Sequence, residues 1–104
     1  MAITTENING RMVCKFSGAL NIWEAADTWH SIYPLLSSKD SLVIDFSGVN
    51  ECDVAGLQII CQIRQVASQE NQRITISELS ESVQTAMHQA GMDPEKFIQP
   101  LEGR

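Results

Sequence analysis

Hydrophobic and polar positions alternate from Arg11 to Phe16: Met12, Cys14 and Phe16 fall on one side, Arg11, Val13 and Lys15 on the other. Period two is the mark of a strand with one buried face. A weaker strand precedes it at Ile3 to Glu6. Between the two stands Asn9-Gly10, a pair that tolerates positive φ and predicts a tight hairpin. Gly18 is expected to end the second strand. Ser41 to Phe46 is an almost unbroken apolar run, the pattern of a strand covered on both faces. Arg73 to Ser77 alternates again, with Ile74 and Ile76 inward.

Three segments switch to helical spacing. Asn21 is placed to cap the first, with Glu24 three residues on closing a capping box. Ile22, Ala25, Ala26, Trp29, Ile32, Tyr33 and Leu36 then form one apolar stripe, reaching about Ser37. Pro34 lies inside it and predicts a kink or an early end. Trp23 reads as a partly exposed aromatic and Trp29 as core. Asp53 is placed to cap the second helix, where Leu57, Ile59, Ile60, Ile63, Val66 and Ala67 make a broad apolar face ending near Asn71. Ser80 caps a third, with Val83, Met87 and Ala90 buried and Gly91 just past its end. Phe97 to Leu101 is a short strand or an anchored tail, and Gly103-Arg104 should be loose.

The order is β-β-α-β-α-β-α. Strands separated by helices imply right-handed crossovers and parallel pairing. The expected fold is a small α/β sandwich, a mixed sheet of four or five strands with three or more helices, in one domain over about residues 3 to 100. A chain of 104 residues suffices for one such core.

Composition narrows the function. A formal charge of −6 repels phosphate backbones and anionic lipid, so nucleic-acid and membrane-surface partners are not expected. No apolar run is long enough to span a membrane. Residues 1 to 10 show no secretory signal, so the expected compartment is the cytoplasm. Cys14, Cys52 and Cys61 are odd in number and widely spaced, and His30 and His88 form no ligand spacing with them. Neither a metal nor any other cofactor is expected. Cys14 and Cys61 read as small hydrophobes. Cys52, before a helix start, is where a thiolate would be stabilised.

The richest stretch for chemistry is Ser47 to Gly56, between a strand end and a helix start, where open α/β sheets gather ligands. Ala55 and Gly56 leave the first N–H groups of the helix open to an anion or a partner's carboxylate. The alternative is that Asp53 is only an N-cap and that Gly56 only lets the helix pack closely. Ser47 reads as a turn hydroxyl bonding its own backbone. No nucleophile–base pair, Gly-rich phosphate loop or paired carboxylates occur. The chain reads as a binding module, not an enzyme.

The stretch from Leu42 to Leu57, LVIDFSGVNECDVAGL, resembles the signature of STAS domains, the anti-sigma factor antagonists and their relatives, which runs roughly L-x-L-D-[LF]-S-x-V-x-x-x-D-S-[ST]-G-L. Phe16 to Asn21 is similar to the family's hairpin exit, L-x-G-x-L-[DN]. Ser80 to Met92 is similar to its last helix.

The resemblance implies a regulatory protein-binding domain. In the family, a serine after the motif aspartate is phosphorylated by a partner anti-sigma kinase, and the unmodified form binds that kinase and frees the sigma factor. Here the acceptor position is Val54, which has no hydroxyl, and Ala55 replaces the next Ser/Thr. Asp53 and Gly56 are kept, and Ala55-Gly56-Leu57-Gln58 resembles a subgroup with D-T-A-G-L-Q linked to chemotaxis and other signalling assemblies. The implied partner surface comprises Asn21, Asp53, Val54, Ala55, Gly56 and Gln58. The partner is then an anti-sigma kinase-like or other signalling protein. Two alternatives stay open: an accessory subunit packed on the ATPase of a phospholipid ABC transport system, and a sensor of a small ligand such as a nucleotide.

Overall fold

Asn9 and Gly10 take φ of 52° and 80°, the left-handed pair that a two-residue hairpin of matching twist requires. They join β1 (Ala2–Ile8) to β2 (Arg11–Leu20) in antiparallel register, Ile8 opposite Arg11 and Ala2 opposite Ser17. The computed structural model describes residues 1–36, 41–69 and 73–98. After β2 come α1 (Ala25–Leu36), β3 (Leu42–Cys52), α2 (Val54–Gln69), β4 (Ile74–Leu79), α3 (Glu81–Gln89) and a 3₁₀ turn (Pro94–Lys96). The sheet order is β1-β2-β3-β4, with β2–β3 and β3–β4 parallel. The element order along the chain, the hairpin and the parallel pairing of strands joined by helices are as expected. Among the described residues the sheet has four strands.

The alternation places the core. Cys14, Phe16, Ile44, Phe46 and Ile76 point to one face and are buried there. The same cluster takes Ile32 and Leu36 from α1, Leu57, Ile60 and Ile63 from α2, and Val83 and Met87 from α3. The Phe16 and Phe46 rings meet at 4.7 Å, tilted by 50°, a geometry that aromatic quadrupoles favour. Val43 points the other way and is still only 3% exposed, flanked by Val13 and Thr75. Helix α3 begins at Ser80, whose hydroxyl accepts from the Val83 N–H at 3.2 Å. It ends in a Schellman pattern: Met92 N–H donates to Met87 O at 2.8 Å and Gly91 N–H to His88 O at 3.1 Å, with Gly91 at φ 78°.

Several expectations are corrected. Gly18 does not end β2, because irregularities on either side of Gly18 carry the pairing on to Leu20; the glycine accepts φ 97° in the process. For the same reason β3 continues through Ser47-Gly48 to Cys52. Helix α1 starts at Ala25, so Ile22 lies in the turn before the stripe and is exposed. The helix passes Pro34 and reaches Leu36. Tyr33 turns outward and packs its ring on Trp29 at 5.4 Å. Ala90 is the C-cap, with non-helical ψ of 4°, so it leaves the buried stripe and is exposed. Cys61 is exposed, turned by about 100° from Ile60. Phe97 and Ile98 form no strand but pack on the core, with the Arg64 guanidinium 4.4 Å above the Phe97 ring. The tail from residue 99 on, the end expected near Ser37 and the end near Asn71 lie outside the described residues.

Candidate functional site

Asp53 stands where β3 hands over to α2, and its carboxylate joins two loops. One oxygen accepts from the Gly56 N–H at 2.9 Å, capping α2 three residues in. The other accepts from the Ile22 N–H at 3.1 Å, across 31 residues of sequence. The backbone follows suit: Asp53 N–H reaches Leu20 O at 3.4 Å, and Leu57 N–H reaches Asp53 O at 3.0 Å. The motif aspartate is therefore an N-cap and also a clasp between the β2–α1 turn and the start of α2.

Asn21 orders the facing turn. Its Oδ1 accepts from Trp23 N–H at 3.0 Å and Glu24 N–H at 3.1 Å, and its Nδ2 donates to Glu51 Oε2 at 3.0 Å. Asn21 caps as expected, but what it caps is the turn ahead of α1. Glu24 does not close a box with it; the Glu24 carboxylate pairs with the Met1 amine at 3.1 Å.

Gly56 is buried, and a Cβ built on it would lie 2.2 Å from the carbonyl oxygen of Leu20. The start of α2 rests directly on the end of β2, and only glycine allows that approach. The expected open anion site is also corrected. The Gly56 N–H is already taken by Asp53, whose negative charge occupies the place an anion would fill. Of the sequence-derived residues, Asn21, Asp53 and Gly56 thus build the site from within. Val54 is 66% exposed, Gln58 is exposed one turn further along α2, and Ala55 is half-buried. Ile22 (65% exposed) and Trp23 (86% exposed) join them on the surface. Ile22 went unrecognised because its spacing fits the α1 stripe. The signal was Asn21: a cap for a turn places the next two residues outside the helix.

Cys14 is the buried small hydrophobe expected, whereas Cys61 is exposed and Cys52 departs from expectation in its titration. Burial and then the Asp53 charge push the Cys52 thiol up to about 11, the reverse of the thiolate expected at a helix start. A two-unit rise lowers its thiolate fraction at neutral pH by about a hundredfold. Burial also pushes Cys14 up. Limited iodoacetamide at pH 7.5, read by peptide mass spectrometry, should therefore label the exposed Cys61 well before Cys52 or Cys14. Cys52 labelling first would contradict the assigned environment.

Ser47, expected in a turn, lies within β3, where its N–H donates to Asp45 Oδ1 at 2.8 Å. An open groove of about 550 Å³ lies between β3 and α3, lined by Val49, Asn50, Cys52, Glu81, Ser82, Thr85, Ala86 and Gln89. It offers no cationic side chain to a phosphate. Among the described residues no group of three or more His, Cys, Asp or Glu could hold a metal ion, and no helix is long and apolar enough to cross a membrane.

The mixed four-stranded sheet and the order β-β-α-β-α-β-α match the fold of anti-sigma factor antagonist structures. The chain belongs to the STAS family: the family described as "Mlab, STAS domain" matches residues 4–100. No curated protein matched the chain in a sequence comparison. Among solved structures, an anti-sigma factor antagonist from Mycobacterium paratuberculosis is similar at 20% identity, with TM-score 0.75, over 97% of this chain and 85% of that one. The anti-sigma factor antagonist SpoIIAA in its unphosphorylated form is similar at 13% identity, with TM-score 0.69, over 98% and 90%. SLC26A9 is similar at 13% identity, with TM-score 0.66, over 88% of this chain and 18% of that one. The shared fold is that of a domain found both in small antagonists and within a much longer chain.

Proposed function

We propose that this single STAS domain, over about residues 3 to 100, is a non-catalytic regulatory module that binds a protein partner. It docks through the Asn21–Trp23 turn and the start of α2, and it is not switched by phosphorylation at the usual position. The observation that carries this reading is the clasp. Asp53 holds two loops in one geometry and leaves Ile22, Trp23 and Val54 facing solvent. A protein gains little from ordering an apolar surface that nothing covers. Val54 opens the helix where the family's acceptor serine stands, and its isopropyl group cannot accept phosphate.

The favoured partner is a signalling protein of the anti-sigma kinase type, met in the cytoplasm. A second reading has an observation of its own, since the matching family carries the Mlab description. Under it the same surface packs on the ATPase of a phospholipid ABC transport assembly.

Incubation with ATP and an anti-sigma kinase that modifies a serine-bearing antagonist in parallel should leave residues 53–57 unmodified by mass spectrometry. Phosphate found in that segment would overturn the unswitched reading. Co-purification from source cells separates the two partners, because a histidine-kinase-type ATPase and an ABC ATPase differ in mass and sequence.

A further inference from the structure

The proposed docking surface is apolar at its centre and acidic around it. Ile22, Trp23 and Val54 are three of the five large hydrophobics exposed among the described residues. Asp53 accepts from the Ile22 N–H at 3.1 Å, and Val54 is the next residue, so the clasp brings the two segments together. Those segments carry Glu51 and Asp53 beside the clasp and Asp27 one turn on from Trp23, while Glu24 is already paired with the Met1 ammonium at 3.1 Å. They carry no Lys or Arg, because the chain has none between Lys15 and Lys39 or between Lys39 and Arg64. Lys15 is engaged with Glu6 at 3.3 Å and Arg64 with the Phe97 ring.

Granted that a protein docks here, we infer that it presents an apolar pocket for Trp23 ringed by lysine and arginine side chains. Charge complementarity selects this occupant. A second copy of the chain docking through the same face would set carboxylates against carboxylates, which disfavours a symmetric dimer. A partner without basic groups would leave the acidic rim partly desolvated and unpaired. Tryptophan is the residue type most often found as the energetic anchor of such a centre. The Trp23 backbone is held in place before contact, because its main-chain N–H donates to Asn21 Oδ1 at 3.0 Å.

The test uses the full chain with a benzophenone photo-cross-linker at Gln58, one turn from Val54. Irradiation in source-cell extract marks the partner and the peptide that touches this surface, and the purified partner is then titrated. The expected peptide places Lys or Arg beside apolar residues. Affinity should fall about tenfold or more between 50 and 500 mM NaCl. Trp23→Ala should weaken binding about thirtyfold or more. Asp27→Lys and Glu51→Gln should each weaken it severalfold; the glutamine retains an acceptor for Asn21 Nδ2. Urea midpoints near that of the wild type show that these variants are folded. If salt, Asp27→Lys and Glu51→Gln leave affinity unchanged while Val54→Arg abolishes it, the docking surface stands and the basic rim is wrong. An acidic cross-linked peptide, or an adduct with a second copy, likewise overturns the basic rim. If Val54→Arg also binds normally, or no adduct forms, the docking surface itself falls.

Discussion

Gly56→Ala should destabilise the protein by about 3 kcal/mol or more, read as a lowered urea midpoint at unchanged slope. On an exposed helix position the same substitution would stabilise by up to about 1 kcal/mol, because alanine is the better helix former. Here the added methyl would lie 2.2 Å from Leu20 O and 3.0 Å from Leu20 C and Cγ. The nearest obstacle is backbone, so α2 must lift off β2 or tilt. Lifting also pulls Asp53 from the Ile22 N–H and loosens the Ile22–Trp23 turn. With total stabilities of about 5–15 kcal/mol for domains of this kind, much of the fold's margin would be gone. An unchanged midpoint would mean that α2 does not sit on β2 at this distance. Gly56→Arg is a poor probe of docking for the same reason, because it disrupts the support of the surface before reaching any partner.

Asp53→Ala should cost about 1–3 kcal/mol and weaken partner binding beyond what lost stability explains. The first part follows from losing an N-cap and a second, charge-assisted bond. The second follows because the Ile22–Trp23 turn loses its tie to α2 and must be ordered on binding. Asp53→Asn separates the two roles. The Gly56 and Ile22 N–H groups are served by different carboxylate oxygens, so an amide that keeps its oxygen on one of them turns an NH2 donor toward the other. It should retain most of the stability and still bind more weakly. Asp53→Asn behaving as wild type in both urea unfolding and partner titration would refute the clasp.

Much of the architecture was legible because two periodicities were clear. Arg11 to Phe16 alternates, and Phe16 and Cys14 are buried as that demands. Asn9-Gly10, Ser80 and Gly91 carry local turn and cap chemistry that depends on no distant partner. What escaped involved backbone irregularity or contact across the chain. Gly18 and Ser47-Gly48 read as strand ends, but bulges absorb them. Ala90 fits the α3 stripe arithmetically, yet it is the residue where the helix ends. The motif frame marks Ser47 to Gly56 as the candidate site, and Asn21 and Asp53 both cap as their positions suggest. Their joint action was not readable. It depends on the Ile22 N–H reaching a carboxylate 31 residues away, a meeting that only the β2–β3 pairing creates. The Cys52 reading failed for a related reason: proximity to a helix start was visible, whereas its burial and the Asp53 charge beside it were not.

The central claim is that a protein docks on the surface formed by the Asn21–Trp23 turn and the start of α2. The measurement that tests it most directly is a native pull-down with mass spectrometry, comparing wild type, Val54→Arg and Gln65→Arg. Both substituted side chains are exposed on α2, so both variants should fold. Val54→Arg puts a bulky cation at the centre of the proposed surface, and Gln65→Arg puts the same group about three turns away. A partner held by wild type and Gln65→Arg but lost by Val54→Arg is the predicted result. A partner held equally by all three would place the binding face elsewhere on the domain.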